Sequence, residues 1–164
     1  MIMGNFQNTS TFTVQIKDAV PQHNKDASAL VSVVLNFFGI QLDLEGIDKD
    51  IAEIGLSNTP SRPSFVAMLD FSIVGVATMN LEDPDKAFIS GLYVSPDQQR
   101  CGIGRALLNH MIAFARTQNV TILRLETRAR FEGAVKLYES TGWVRGADMA
   151  RDNGPERQYF LNLD

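Results

Sequence analysis

The sequence predicts a mixed α/β fold, in which helices pack on a sheet of both parallel and antiparallel strands. Two observations lead to this prediction. The middle of the chain carries the signal of an antiparallel hairpin, and a strand–helix–strand–helix passage follows it. The length of 164 residues, 45% of them hydrophobic, suits one domain with a sizeable core, and we assign that domain to residues 11–164.

The first part of the chain is predicted to contain a strand and two helices. Alternating apolar residues predict the strand over residues 11–17, and residues 1–10 are expected to be a flexible start. Apolar residues at helical spacing predict a helix that begins at about Asp26 and ends at Gly39. The same spacing predicts a second, shorter helix over residues 44–54.

The middle of the chain is predicted to form three consecutive strands. Two prolines mark residues 57–63 as a loop. The strand-like residues 65–69 and 73–81 are separated by only three residues, so we expect them to pair as a hairpin. A turn then leads to a strand over residues 88–94, which Pro96 bounds.

The last part of the chain alternates helices and strands. Apolar residues at helical spacing predict a helix beginning at Ile103, and residues 121–127 form the next predicted strand. A helix over residues 132–140, closed by Gly142, precedes a final strand over residues 158–163. A mixed sheet covered by helices accommodates this order of elements.

The composition excludes several classes of function. A formal net charge of −4 argues against nucleic acid as the main partner, because binding to phosphate backbones rests on clustered positive charge. The single cysteine, Cys101, and two distant histidines argue against disulfides and a bound metal, and favour a cytoplasmic location. The most apolar stretch, residues 29–40, is too short to span a membrane, and no secretion signal is expected.

The charge is distributed unevenly along the chain. Residues 1–98 carry 5 Lys/Arg and 12 Asp/Glu, whereas residues 99–164 carry 10 and 7. The two parts therefore have net charges of −7 and +3. The second part is the better suited to receive an anion.

Two glycines at the start of a predicted helix form the most informative motif. Gly102 and Gly104 would let an anion approach backbone amides that have no partner in the first helical turn. The helix dipole favours negative charge at this end, and Arg100 and Arg105 add positive charge on either side. The motif predicts a phosphate site.

Nucleotide-binding loops offer two alternative interpretations. The chain has no Gly-x-x-x-x-Gly-Lys-Ser/Thr run, which excludes a Walker loop. A Rossmann-like dinucleotide binder stays open, because Gly102 and Gly104 match two of its glycines and Glu126 stands where an acid would bind the ribose. Against it, Leu107 occupies the third glycine position, and seven residues separate Val94 from Gly102.

Two linked segments resemble one family. Residues 99–104, Gln-Arg-Cys-Gly-Ile-Gly, resemble the Gln/Arg-x-x-Gly-x-Gly/Ala pyrophosphate loop of the GCN5-related N-acetyltransferases (GNAT). Residues 134–143 are similar to the family's Ala-x-x-Leu-Tyr-x-x-x-Gly-Phe segment, with Trp143 in place of Phe. The resemblance implies the acyl-CoA N-acyltransferase fold, a mostly antiparallel sheet with helices on both faces that splays between its central parallel strands.

The resemblance also implies acetyl-CoA as co-substrate and assigns roles to residues. Tyr138 would be the general acid for the departing thiolate, and the Val94 N–H would polarise the thioester carbonyl. The predicted coenzyme-binding residues are Leu92, Tyr93, Val94, Gln99, Arg100, Cys101, Gly102, Ile103, Gly104, Arg105 and Ala106. The implied reaction is direct attack by a primary amine of a small molecule or peptide, without a metal, and a homodimer is one possible assembly.

The acceptor half of the site departs from the family's pattern. Phe88 stands where many members have a glutamate, and Phe131 stands where many have an asparagine. Glu126, Asp70 and Glu82 are candidate bases acting through water. The same departures favour a second hypothesis, a non-catalytic acyl-CoA sensor or interaction module, with the dinucleotide binder third.

Overall fold

The computed structural model describes residues 13–151 and 156–164, which form a seven-stranded mixed sheet with helices on both faces. The strands are β1 (Gln15–Asp18), β2 (Ser64–Leu69), β3 (Ser72–Asp83), β4 (Lys86–Val94), β5 (Ile122–Arg128), β6 (Val144–Met149) and β7 (Glu156–Asn162). The α-helices are α1 (Asn24–Phe37), α2 (Lys49–Ala52), α3 (Ile103–Thr117) and α4 (Glu132–Ser140). The expected flexible residues 1–10 and the first two residues of the predicted strand 11–17 lie outside the described ranges.

The strand order is β1-β2-β3-β4-β5-β7-β6, and β4 with β5 is the one parallel pair among the described strands. The predicted hairpin of β2 and β3 and the strand–helix–strand–helix passage from β4 to α4 are confirmed. A Rossmann fold needs a mostly parallel sheet, so this topology rules out the dinucleotide-binding alternative. In the described ranges, no helix combines the length and the apolar composition needed to cross a bilayer.

Two hydrophobic clusters cover the two faces of the sheet. On the α3 face, Leu107, Leu108 and Met111 of α3 are fully buried, in a cluster that also contains Leu123 and Leu125 of β5. The α1 face carries a second cluster, whose buried members include Val31, Leu35, Ile51, Val66 and Val76. Burial of this apolar surface from both sides fixes the sheet and the strand ends that it presents.

The predicted helix over residues 44–54 is mostly wrong, because only Lys49–Ala52 is helical. The Asp43 carboxylate accepts a hydrogen bond from the Gly46 N–H at 3.0 Å, and the Asp48 carboxylate accepts one from the Asp43 N–H at 2.9 Å. Such side-chain bonds give the backbone an alternative to a helix. The helical pattern therefore misplaced Ile47, which is 77% exposed.

Strand β6 had no sequence signal. It pairs only with β7 at the edge of the sheet, its residues are exposed or half-buried, and its register shifts between Arg145 and Asp148. An edge strand exposed in this way does not need alternating apolar residues. Hydrogen bonding to β7, and not a local sequence pattern, defines β6 as a strand.

Candidate active site

The parallel strands β4 and β5 separate halfway along their length. They pair over Lys86 to Ile89 of β4 and Ile122 to Leu125 of β5, and beyond these residues each strand pairs only with its outer neighbour. We call the gap between residues 90–94 of β4 and residues 126–128 of β5 the cleft. Ser90 is an extra residue in β4, since Met79 pairs with Ile89 and Thr78 pairs with Gly91. Bulges bend a strand, and this one lies where the cleft opens.

The backbone of β4 presents alternate residues to the cleft. The Ser95 N–H donates to the Val74 carbonyl at 2.9 Å, and Val94 lies opposite Gly75. Because hydrogen-bonded and non-hydrogen-bonded pairs alternate in an antiparallel ladder, the N–H and C=O groups of Val94 and Leu92 point away from β3, into the cleft. Those of Tyr93 point toward β3, and its side chain packs on the α1 face of the sheet.

The loop between β4 and α3 ends in backbone that is open to an anion. Gly102 has φ +80° and Arg100 has φ +64°, and the Ala106 N–H makes the first helical bond, to the Gly102 carbonyl at 3.0 Å. The amides of the three residues between them therefore have no acceptor within the helix. The first turn carries no acidic side chain, so nothing there opposes an anion.

The remaining predicted residues of this loop surround those amides. Gln99, Arg100, Cys101 and Arg105 are exposed, whereas Ile103 is buried in the core beneath the helix. The Cys101 thiol lies 3.7 Å from the Gln99 carbonyl oxygen and has no basic partner in the described structure. This placement suits a loop residue and gives no sign of an activated nucleophile.

Gly102 is required for its backbone conformation and not for space. Its φ of +80° lies in the left-handed region, whereas a Cβ at this position would meet no atom within 4 Å. We expect Gly102→Ala to lower the free energy of unfolding by about 1–2 kcal/mol, the cost of a left-handed φ for a residue with a Cβ. Chemical denaturation measures this change. Asn tolerates the left-handed region better, so Gly102→Asn is the control and should cost less. Equal stability of all three proteins would contradict this account of the loop.

Tyr138 lies on α4, is 4% exposed and belongs to the buried cluster on the α3 face of the sheet. Its ring packs between those of Trp143 and Tyr159, with centroid distances of 5.7 Å to each, and no described group hydrogen-bonds its hydroxyl. Burial raises the pKa of Tyr138 far above its ordinary value, and the neighbouring Tyr93 raises it further. The hydroxyl therefore keeps its proton throughout the neutral and mildly alkaline range.

The Tyr93 side chain packs on the α1 face and is close enough to interact electrostatically with Tyr138. Burial raises the pKa of Tyr93 to about 12, the Asp48 carboxylate adds to this, and the Arg128 guanidinium opposes it. Tyr93 therefore has an acidic and a basic neighbour at the mouth of the cleft. The sequence predicts only a coenzyme contact for Tyr93. The spacing of residues along the chain does not indicate that Asp48 and Arg128 lie near it.

Of the three candidate bases, only Glu126 borders the cleft. It is the first β5 residue beyond the segment paired with β4, its side chain is 21% exposed, and its carboxylate lies 3.3 Å from Arg124 and 3.6 Å from Arg151. Glu82 lies at the closed end, where hydrogen bonds from Arg124 lower its pKa. Asp70 lies at the exposed tip of the β2–β3 hairpin.

Phe88 and Phe131, the two departures from the family pattern, both pack against other side chains. The Arg124 guanidinium lies 4.2 Å above the Phe88 ring, and the same side chain donates to Glu82 at 2.8 Å. Phe131 packs on Phe38 with ring centroids 4.6 Å apart, which joins the start of α4 to the end of α1. Both aromatic rings are thus in contact with neighbouring side chains of the fold.

Fold and cleft together define the class of protein. The sequence matches the acetyltransferase (GNAT) family over residues 35–143, more than half of the chain, so the chain belongs to this family. The resemblance drawn from two sequence segments is therefore confirmed. So is the predicted fold, an acyl-CoA N-acyltransferase fold with a splayed mixed sheet.

Individual relatives agree with this assignment. The [ribosomal protein bS18]-alanine N-acetyltransferase of Escherichia coli strain K12 is 46% identical over 59 residues, 36% of this chain and 40% of that protein's length. The matched region thus covers less than half the length of that curated relative. A GNAT acetyltransferase from Staphylococcus aureus Mu50 superimposes with a TM-score of 0.81 at 20% identity, covering 93% of this chain and 100% of the other.

A second solved structure contains a ligand. An acetyltransferase from Salmonella typhimurium, determined with its cofactor acetyl-CoA, has a TM-score of 0.71 at 19% identity, covering 92% of this chain and 94% of the other. At this level of identity the likeness shows the fold.

Proposed function

We propose that the protein is an acetyl-CoA-dependent N-acetyltransferase that modifies a primary amine by direct attack on the thioester. The observation that carries the proposal is the cleft itself. It combines unpaired backbone groups at Leu92 and Val94, an anion-binding helix start at Gly104, and a protonated phenol at Tyr138. Each matches a different part of acetyl-CoA.

The two arms of the site fit the two ends of the coenzyme. The amides of Ile103, Gly104 and Arg105 would bind the pyrophosphate, with Arg100 and Arg105 supplying positive charge. The backbone of Leu92 and Val94 would bond the pantetheine arm as a strand would. The basic second part of the chain, with its net charge of +3, thereby receives a strongly anionic ligand.

In the proposed reaction, a neutral amine attacks the thioester carbonyl carbon, forming the C–N bond. The Val94 N–H donates to the carbonyl oxygen as negative charge develops there. The C–S bond then breaks, and the Tyr138 hydroxyl donates to the departing thiolate, whose parent thiol has a pKa of about 8.5. Glu126 accepts the proton that the amine loses, through water, so the products are an amide and a free thiol. Proton exchange with solvent then restores the Tyr138 hydroxyl and the Glu126 carboxylate.

We expect Glu126→Gln to lower kcat/KM at neutral pH by about 10²-fold or more, because the amide cannot accept the proton. Steady-state rates over a range of amine concentrations, at saturating acetyl-CoA, measure the change. Asp70→Asn is the matched control, since this exposed carboxylate lies away from the cleft, and its activity should equal that of the unmodified protein. A loss in Asp70→Asn with full activity in Glu126→Gln would assign the base to the hairpin instead.

We infer that the acceptor is the amine of a polypeptide. Five large apolar side chains between the start of α1 and the start of β2 are exposed, and exposed apolar surface of this kind is available to a polypeptide: Val33 at 56%, Phe37 at 72%, Leu44 at 36%, Ile47 at 77% and Leu56 at 58%. The name of the curated relative, an alanine N-acetyltransferase of a ribosomal protein, supports the same class of acceptor. A small-molecule amine is the alternative.

A cytoplasmic location and a homodimeric assembly belong to the same proposal. The free, exposed thiol of Cys101 is compatible with a reducing compartment. Light scattering of the purified protein tests the dimer directly. Nucleic acid and membrane are not among the proposed partners.

An amine panel tests the proposal against the sensor alternative. The panel contains an alanine-terminated peptide, the same peptide with a blocked N-terminus and one internal lysine, and a polyamine, with released CoA thiol as the readout. We expect thiol release with the free N-terminal peptide. The sensor hypothesis rests on Phe88 and Phe131, and acetyl-CoA binding without thiol release for any amine would support it and overturn the enzyme.

A further inference from the structure

A polar network lies beneath the bulge in β4, on the α1 face. We propose that Ser90, hydrogen-bonded to Thr78 in a network that also includes Asn80 and Asp50, is a positioning residue that fixes this bulge and thereby decides which backbone amides face the cleft. The inference rests on the proposed function, because its main readout is acetyl-CoA binding. It concerns side chains that form no part of the loop or of the reacting groups described above.

The network joins α2 to both strands that flank the bulge. The Thr78 and Ser90 hydroxyls are 2.9 Å apart, and Thr78 is buried. The Asn80 amide donates to Asp50 at 2.7 Å, and the Arg62 guanidinium donates to the other oxygen of Asp50 at 2.9 Å. Thr78 and Asn80 are neighbours on one face of β3, so the network spans the β3 side of the bulge.

The Asp50 carboxylate, bound by Arg62 and Asn80, also interacts with Ser90. Burial alone would raise the pKa of Asp50, but hydrogen bonds from Asn80, Ser90 and Arg62 outweigh it and lower the pKa. The carboxylate is therefore ionised at neutral pH and attracts the Ser90 hydroxyl proton. With that proton turned toward Asp50, the Ser90 oxygen accepts from Thr78, and both hydroxyls are satisfied.

The glycine after the bulge makes room for this arrangement. A Cβ on Gly91 would lie 2.7 Å from the Thr78 hydroxyl oxygen and 3.2 Å from the Tyr93 ring. Any side chain at position 91 would displace Thr78 from Ser90. The sequence thus has a small residue where the hydroxyl of the neighbouring strand must approach.

The bulge controls the orientation of every β4 residue that follows it. A β4 without the extra residue would pair Leu92 with Val76 and Val94 with Val74, one position from the observed register. Since a shift of one residue exchanges the two edges and faces of a strand, Leu92 and Val94 would then bond β3. Tyr93 would present its amide to the cleft instead, and the proposed oxyanion donor would be lost.

Selective loss of affinity for the pantetheine arm tests the proposal. Calorimetry compares the Kd of acetyl-CoA with that of 3′-phosphoadenosine 5′-diphosphate. This fragment of the coenzyme has the pyrophosphate but lacks the pantetheine arm. For Ser90→Ala and Thr78→Val we expect at least a tenfold weaker Kd for acetyl-CoA and an unchanged Kd for the fragment. Ser90→Thr restores a hydroxyl and should recover most of the acetyl-CoA affinity.

The controls separate this inference from the proposed function and from loss of fold. Ser72→Ala removes an exposed serine from the same sheet and should leave both Kd values unchanged. Asp50→Asn should weaken acetyl-CoA binding in the unmodified protein but add little in Ser90→Ala. Equal weakening of both ligands, or of neither, would overturn the positioning role. Failure of the unmodified protein to bind acetyl-CoA would instead overturn the proposed function.

Discussion

Tyr138→Phe is expected to lower kcat by about 10²–10⁴-fold, the contribution of a positioned acid, while the Kd of acetyl-CoA stays unchanged. The substitution removes one oxygen from a ring that is 4% exposed and packed between Trp143 and Tyr159. Because no described group hydrogen-bonds that oxygen, its removal leaves no buried partner unsatisfied. The folded structure should therefore survive, and rapid-quench rates measure the chemical step.

The pH dependence follows from the direction of the pKa. Burial raises the pKa of Tyr138, so the hydroxyl stays protonated as the pH rises from 7 to 9 and should cause no loss of rate in that range. Tyr159→Phe is the matched control: Tyr159 is buried beside Tyr138, but its hydroxyl donates to Glu139 at 2.8 Å, away from the cleft. An equal loss of kcat in both variants would mean that packing of the rings, and not the acid, is what Tyr138 contributes.

Gly104→Asp is expected to weaken acetyl-CoA binding by about 10²-fold, through charge repulsion between the new carboxylate and the pyrophosphate. A Cβ at position 104 would lie 3.4 Å from Leu137 and 3.6 Å from Val94, which are ordinary contacts. Stability should not fall with binding, because a negative charge in the first turn of a helix interacts favourably with the helix dipole. Calorimetric titration and thermal unfolding of the same sample measure the two effects.

The control for this variant is Gly104→Asn, which has nearly the same shape without the charge. It should lose much less affinity than Gly104→Asp. If both variants lose the same affinity, the side chain obstructs the site and the charge does not matter. If neither loses affinity, the pyrophosphate does not bind at the start of α3.

The donor half of the site could be predicted from sequence because its signals are local. The roles proposed for the glycines of residues 99–104, the end of β4 and Tyr138 each depend on the backbone of one segment or on one helix face. Residues 92 and 94 were assigned by resemblance, and their alternation in the observed ladder agrees with a cleft-facing backbone. These roles stay predictions until acetyl-CoA binding is measured.

The opening of the cleft depends on contacts between distant segments. The pairing that ends at Ile89, the bulge at Ser90 and the network from Asp50 bring together residues up to 40 positions apart. No periodicity in the sequence encodes such pairings. The short helix α2 shows the same limit, since capture of backbone amides by Asp43 and Asp48 replaced a helix that its apolar spacing predicted.

Amide hydrogen exchange, followed by NMR with and without acetyl-CoA, tests most directly whether the cleft is the coenzyme site. We expect the amides of Val94, Ile103, Gly104 and Arg105 to exchange rapidly in the free protein and to slow when acetyl-CoA is added. The Tyr93 amide, which is directed at β3, should be protected in both states. Slowed exchange elsewhere, with the Val94 and loop amides unchanged, would contradict the proposed binding mode.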